Sequence, residues 1–464
     1  MSENTFENIA DEFLDFVQLC PTCYHVVEKQ RTALLYAGYT QLFESTPFDL
    51  VPGGKYFVTR GGSSLIAFRV PEGKITGFLV SASHSDSPSF KVKANPEITE
   101  NGYTKLNVER YGGMLMAPWF DRPLSVAGRV ITREETTDGV RLVSHLVNIP
   151  RDLLVIPSLA IHMNREANSG FAPNPQTDLL PLFGDESAKG KFLPLVARYA
   201  GVSPDAIEGY DLFLYPTGHG SLVGAGQEFL LSPRIDDLMC AYGCFRGFLA
   251  AGKTKGNGKD APSSLPVYAL FDNEEVGSLT RQGADSTFLK DTLENIFEAL
   301  HLTPAQYRAA LQQSFMVSAD NAHAVHPNHP EKADPVNRPK MNGGIVIKYA
   351  ANQKYTSTGE SAALFFCLCK KAGVPVQVFT NRSDMAGGST LGNLETSHVP
   401  LNAVDIGLAQ LAMHSSWECA GVKDLSFLAR AMEFFFASTL TVPSPGVLNL
   451  SFPNLKVEKY ILKT

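Results

Sequence analysis

Histidines and carboxylates recur in this chain where apolar, strand-like runs end. His84 closes the run 78–83, and Asp272, Glu274 and Glu275 follow the run 267–271. Asp320 ends the run 315–319, and His414 comes shortly after 403–408. In open α/β sheets, ligands bind outside the carboxyl ends of strands, so such residues can converge although they are far apart in sequence. Asp236, at the start of a helical pattern over 236–251, can join them. Two histidines among several carboxylates suit Zn²⁺, Mn²⁺ or Co²⁺ better than soft thiolate chemistry does. A shared carboxylate could bridge two metals ~3.5–4 Å apart, as in two-metal hydrolases. Spacing alone does not secure that site. A lone His or Asp at a strand end is most often a cap or loop group, and no compact zinc motif is present.

Two local patterns add weight. In His84-Ser85-Asp86, the second carboxylate is close enough to receive the other ring N–H of a ligating histidine. The competing reading is an ordinary turn over Ser85-Asp86-Ser87-Pro88. Glu274-Glu275 repel each other unless cations or distinct roles separate them. One can ligate a metal while the other takes a proton from water, which is the division a metallohydrolase needs. Spacing does not choose between Glu274 and Glu275, or between Asp236 and Asp237.

The elements that must position these groups follow from periodicity. Phe6, Ile9, Phe13, Phe16 and Val17 make one helical stripe, which Pro21 breaks. Strand patterns follow at 55–60, 64–69 and 77–82, with Gly61-Gly62 as a hairpin signal. Residues 95–225 read as an inserted, antiparallel β-rich domain, with one helical pattern at 192–200. From 226 onward, strand-like runs at 266–271, 315–319, 344–349, 375–379 and 403–408 alternate with helical patterns at 236–251, 285–300, 357–372 and 424–441. That alternation predicts an α/β catalytic domain, residues 1–94 and 226–464, with a central mixed sheet between helices. Lys253 to Ser264 is Gly/Lys/Ser-rich and reads as a surface loop.

Composition bounds the remainder. The 464 residues predict two to three domains, or one large one with an insertion, and 44% hydrophobic content supports a large core. Lys plus Arg is 40 against 47 for Asp plus Glu, a net charge of −7 that argues against a nucleic-acid grip. No stretch approaches the ~18 uninterrupted apolar residues of a membrane helix. The first segment is acidic, unlike a secretory or transit signal, and seven sparse cysteines suggest reduced thiols; the expectation is a cytoplasmic protein. Cys20-Pro21-Thr22-Cys23 has redox or zinc spacing but no second pair nearby, so it is read as inert thiols.

Several motifs resemble, in order, those of the aspartyl aminopeptidases. They are His84-Ser85-Asp86-Ser87-Pro88, Ser232-Pro233-Arg234-Ile235-Asp236-Asp237, Phe271-Asp272-Asn273-Glu274-Glu275-Val276-Gly277-Ser278, the stretch from Ser318-Ala319-Asp320-Asn321 through His326-Pro327, and Leu411-Ala412-Met413-His414-Ser415. Tyr111-Gly112-Gly113, Trp119-Phe120-Asp121-Arg122 and Leu159-Ala160-Ile161-His162 resemble motifs of that family's inserted domain. The resemblance runs from about Pro21 to about Phe435.

The resemblance implies a zinc-peptidase-like fold interrupted by a β-rich dimerisation domain, and two Zn²⁺ per subunit, with Mn²⁺ or Co²⁺ as substitutes. His84, Asp236 and Asp320 would hold one ion, and Asp236, Glu275 and His414 the other. Glu274 would be the general base acting on the bridging water, and Asp86 would orient His84. Lys348 would pair with an acidic substrate side chain, Tyr355 would hydrogen-bond it, and Asp384 could receive the free α-amine. A lysine near the end of an apolar strand is unusual without a partner. The loop at Asp384 departs from the family, because Ala386-Gly387-Gly388 stands where relatives commonly carry a cysteine before the glycine. His162 would reach into a neighbouring subunit's active site, in a homo-oligomer expected to be a dodecamer built from dimers. His323, His326 and His329 are read as structural or subunit-contact groups. The function implied is removal of N-terminal Asp or Glu from peptides. The alternatives are a related aminopeptidase for neutral N-terminal residues and a catalytically silent, metal-stabilised scaffold.

Overall fold

The structure is a computed structural model that describes residues 3–253 and 263–452. Its centre is a nine-stranded mixed sheet. In spatial order the strands are Thr40–Gln41, Lys55–Arg60, Ser64–Arg69, Ser264–Phe271, Gly77–His84, Phe315–Ala319, Asn402–Gly407, Ile345–Tyr349 and Val376–Thr380. The four strands from Ser264–Phe271 to Asn402–Gly407 run parallel to one another, so their carboxyl ends share one edge.

These strands are buried on both faces, and alternation sorts their side chains. On Ser264–Phe271, Tyr268 and Leu270 face a core built with the helices Glu3–Leu19, Ile235–Ala251, Gly359–Ala372 and Val422–Phe436. Leu265, Val267, Ala269 and Phe271 face the opposite core, built with Phe288–Ala299, Pro304–Leu311 and Leu391–His398. Full burial of each large apolar side chain contributes roughly 1.5–3 kcal/mol, so the edge that carries the chemistry rests on a two-sided, well-anchored sheet. The hairpin between Lys55–Arg60 and Ser64–Arg69 forms where Gly61 and Gly62 supply φ of 66° and 72°.

A six-stranded antiparallel sheet, in the order Gly139–Asn148, Leu124–Thr136, Ile207–Pro216, Ser89–Glu100, Tyr103–Tyr111 and Leu182–Asp185, carries its own apolar core with the helix Phe192–Ala200. Gly128 is required there: at φ 152°, a Cβ would lie 2.0 Å from the Asp211 carbonyl oxygen of the neighbouring strand. A five-stranded sheet joins Ser221–Val223, Phe229–Ser232, Glu418–Gly421, Ala409–Leu411 and Ala322–His323.

The expected mixed α/β architecture is present. The predicted strands and helices lie within a few residues of their spans, but the short helices Pro304–Leu311 and Leu391–His398 have no predicted counterpart, and two further differences have a physical reason. The helix Cys23–Tyr36 gives little apolar periodicity because a buried Gln30, bonded to the Tyr268 hydroxyl at 3.0 Å, occupies its inner face. The last helix stops at Phe436, and Thr439–Ser444 is a strand, although one apolar run spans both. The Lys253 to Ser264 segment lies mainly outside the described residues. All seven cysteines are free, and burial pushes the Cys20 thiol up to about 12. No helix among the described residues is long and apolar enough to cross a membrane.

Candidate metal centre

The parallel register sets the site. Phe271 lies directly opposite His84, and the Ser85 N–H donates to the Phe271 carbonyl at 2.8 Å. The turn carrying Asn273, Glu274 and Glu275 therefore sits beside His84. Asp320 follows Ala319 at the next strand end, where its N–H donates to the Ile406 carbonyl at 3.1 Å. Asp236 and Asp237 open the helix Ile235–Ala251 in non-helical conformations after a left-handed Arg234. His414 lies in a turn with φ 67°.

Two imidazoles divide one carboxylate. His84 Nε2 lies 3.5 Å from Asp236 Oδ1, 3.9 Å from Asp320 Oδ1 and 3.9 Å from Glu274 Oε2. His414 Nε2 lies 3.3 Å from Asp236 Oδ2 and 3.3 Å from Glu275 Oε2. Asp236 thus presents one oxygen to each histidine. Behind His84, Nδ1 lies 3.1 Å from the Asp86 carbonyl and 3.3 Å from Asp86 Oδ1. The same Asp86 carboxylate accepts the N–H groups of Glu274 and Glu275, each at 3.2 Å.

Two carboxylates that the sequence reading did not place belong to this neighbourhood. Glu418 accepts the N–H of His414 at 2.7 Å and that of Asp236 at 3.1 Å, tying two site segments together. Asp237 accepts the His84 N–H at 3.1 Å, and its carboxylate can group with the His84 imidazole and the Asp320 carboxylate. Neither residue has a signal of its own in the sequence: Asp237 is hidden beside Asp236, and Glu418 looks like the polar start of a strand.

The charge balance calls for cations. Burial pushes Glu274 up to about 8 against the pull of His84, and burial with Asp236 pushes Glu275 well above the usual carboxylate range. Asp236, also buried, is held well below that range by the imidazoles of His414 and His84. Asp236 Oδ1, Asp237 Oδ1 and Glu275 Oε1 are buried without a hydrogen-bond partner from the protein. Unpaired buried carboxylate oxygens are costly. His84, Asp236 and Glu275 can bring ligand atoms within 4.8 Å of one another, as can His84, Asp237 and Asp320. This nitrogen-and-carboxylate donor set fits zinc.

A cavity of about 500 Å³ opens on the cluster, lined by Asp236, Glu274, Glu275, Asp320 and His414 together with Lys348 and Tyr355. Lys348 is 2% exposed; its Nζ donates to the Asp320 carbonyl at 2.8 Å and lies 5.1 Å from the Tyr355 ring centroid. Burial would lower the Lys348 pKa, but the Asp320 carboxylate reverses that and holds the ammonium charged. His323 lines this cavity too, edge-on to Phe379, whereas the His326 and His329 rings lie tilted, 5.2 Å apart, in the adjoining groove. Of the predicted residues, His84 and Asp86 are buried behind the cavity lining, and Asp384 and His162 lie away from it. Asp384 is exposed and ion-paired with Arg382 at 2.7 Å. His162 sits in an exposed turn of the inserted segment, between Ile161 and Met163, which are 45% and 75% exposed.

A family model described as aminopeptidase I zinc metalloprotease (M18) matches residues 16–436. A probable M18 family aminopeptidase 2 of Clostridium acetobutylicum is 43% identical, over 92% of this chain and 98% of the relative. Among solved structures, one of the Ape4 and Nbr1 complex is similar at TM-score 0.89 and 36% identity, covering 93% of this chain and 86% of that one. The mApe1 dodecamer of S. cerevisiae is similar at TM-score 0.80 and 29% identity, covering 93% and 97%.

Proposed function

The chain belongs to the M18 family of zinc metallo-aminopeptidases, and we propose that it removes Asp or Glu from the amino termini of peptides. The observation that carries the acidic preference is the buried, charged Lys348 in the same cavity as the metal cluster. A buried ammonium beside an apolar ring is a poor host for a neutral side chain and a strong one for a carboxylate. Tyr355, on the same wall, can donate a second hydrogen bond.

In this reading His84, Asp236 and Asp320 would hold one zinc, and Asp236, Glu275 and His414 would hold the second. The two oxygens of Asp236, turned toward different histidines, support it as the shared ligand. Asp237 is read as supporting His84, because it already accepts that residue's N–H. Bound zinc supplies Lewis-acid polarisation of the scissile carbonyl and lowers the pKa of water. Glu274 is the free carboxylate of the turn. It takes a proton from the attacking water and delivers it to the leaving nitrogen as the C–N bond breaks and the new C–O bond forms. Asp86 holds His84 from behind, and its two accepted N–H bonds fix the turn on which Glu274 sits.

The working form is read as a cytoplasmic homo-oligomer, a dodecamer built from dimers, with residues 95–225 as the dimerisation unit. The dodecamer of the yeast relative and the exposed apolar residues beside His162 support this. In that assembly His162 completes the cavity of a neighbouring copy.

The test compares Asp-, Glu-, Leu- and Ala-aminoacyl substrates before and after chelation and zinc return. Chelator-sensitive hydrolysis that favours Asp and Glu is expected. Equal or faster Leu and Ala turnover would overturn the specificity, and a zinc-loaded oligomer inactive on every substrate would leave only the scaffold.

A further inference from the structure

The inserted antiparallel sheet reaches the metal cluster through one short segment, 111–115. Tyr111, at the end of the strand Tyr103–Tyr111, donates its hydroxyl to Asp86 Oδ2 at 2.7 Å. The direction of that bond is fixed. Asn273 Oδ1 is occupied by the Thr280 hydroxyl at 2.8 Å and the Gln282 amide at 3.0 Å, so Asn273 Nδ2 faces Tyr111 and donates to its hydroxyl at 2.8 Å. The phenol proton is left for Asp86. Gly112 packs so closely that a Cβ would lie 3.1 Å from Glu275 Cβ, and the Leu115 N–H donates to the His414 carbonyl at 3.0 Å.

We propose that Tyr111 is a positioning residue for the hydrolytic reaction. Its hydroxyl fixes the Asp86 carboxylate, and through Asp86 it sets both the His84 ring and the Glu274-Glu275 turn. The inference rests on the aminopeptidase reading above and deepens it, because it gives the inserted sheet a direct hand in the geometry of the metal centre. Asp86 is the hub. Its carboxylate lies against His84 Nδ1 and accepts from Tyr111, Glu274 and Glu275. Among these groups, only the Tyr111 hydroxyl comes from outside the central sheet and its loops. Asp86 is the direct partner of His84, and losing such a partner costs about 10–100-fold in metal affinity or activity; Tyr111 acts through it.

The experiment uses the zinc-loaded, full-length oligomer. Tyr111→Phe is expected to lower kcat on an acidic aminoacyl substrate by about 10–100-fold, with KM within about twofold. Zinc affinity, read by competition with a chelating dye and without turnover, is expected to weaken about tenfold. Phe213→Leu, which disturbs the ring packed 5.4 Å from Tyr111 but spares its hydroxyl, is the packing control. It should lower Tm and leave kcat and zinc affinity unchanged. 4-Aminophenylalanine at position 111 keeps a donor in place and should restore zinc affinity to within about threefold of wild type, whatever the fate of Tyr111→Phe. Wild-type kcat and zinc affinity in Tyr111→Phe would overturn the proposal, as would equal losses in Phe213→Leu or failure of the amino analogue to rescue. If the wild-type protein cleaves no aminoacyl substrate, the functional reading falls, and the zinc titration still judges Tyr111.

Discussion

The carboxyl edge of the nine-stranded sheet and the loops that carry His162 and Asp384 hold their polar groups in opposite ways. At the edge, each candidate side chain is fixed by the backbone on which it sits. Phe271 pairs with His84, Asp320 hangs from the Ile406 carbonyl, and Glu418 ties His414 to Asp236. In the loops, the exposed Asp384 is paired with its half-buried neighbour Arg382, and His162 lies in an exposed turn. The difference teaches where this molecule invests order. Chemistry is pre-set by buried strands before any ligand arrives, which is how electrostatic catalysis avoids reorganisation at the moment of reaction. The loops have geometry to gain from a neighbour.

The largest expected effect lies at the edge. Glu274→Gln keeps the shape of the turn and the N–H bonds to Asp86 but removes the proton acceptor. It should lower kcat about 10³-fold, with zinc content unchanged by metal analysis. A small loss would place the base elsewhere and break the claim that the edge alone holds the proton chemistry. Next comes Lys348→Ala, which empties a buried cation site. On Asp and Glu substrates kcat/KM should fall about 100-fold, the weight of a charge-assisted contact left unmade, while Leu and Ala substrates change by less than about threefold. An equal loss on all four substrates would make Lys348 a brace for the Asp320 carbonyl, which it already contacts, rather than a specificity group.

The same contrast explains what the sequence discloses. Strand-end residues are legible because apolar runs announce their strands, and the residue after each run is then placed at a known edge. That logic reached His84, Glu274, Glu275, Asp320 and His414. It could not separate Asp236 from Asp237, because both open one helix and the choice lies in backbone angles. It missed Glu418, which reaches a neighbouring turn and a helix start, and the contact of Tyr111 with Asp86, which comes from the antiparallel sheet, because no periodicity encodes side-chain hydrogen bonds of this kind. It missed the helix Cys23–Tyr36 because a buried Gln30 interrupts the apolar stripe. The cavity role of His323 was hidden among three evenly spaced histidines, of which His326 and His329 fall in the neighbouring groove.

In the loops, His162→Ala should act only through the assembled particle. A loss of about tenfold in kcat, the weight of one hydrogen bond to a charged group, is expected with unchanged zinc content and unchanged size by light scattering. In the proposed assembly, the exposed Ile161 and Met163 beside it would supply apolar contact area for a neighbouring copy. Mixing His162→Ala with Glu274→Gln sharpens the point. If His162 crosses between subunits, mixed dimers contain one cavity with an intact base and an intact crossing histidine, and activity should rise above that of either variant alone. No recovery would confine His162 to its own subunit and remove the main reason to treat the loops as incomplete.

The smallest effect is expected at Asp384. Its carboxylate is held below the usual range by the Arg382 hydrogen bonds and is otherwise in solvent. Exposed pairs of this kind contribute little to stability, since water and salt screen them. Asp384→Ala should therefore leave Tm unchanged and alter kcat/KM on Asp and Glu substrates by less than about twofold. The measurement discriminates because the motif resemblance implies more, a carboxylate that receives the substrate's α-amine. A loss above about tenfold, concentrated in KM and absent for substrates with a blocked amine, would mean that the 381–388 loop exchanges Arg382 for the substrate and folds onto the cavity. The contrast between a pre-set edge and passive loops would then fail at this position, and the α-amine would be read by a loop after all.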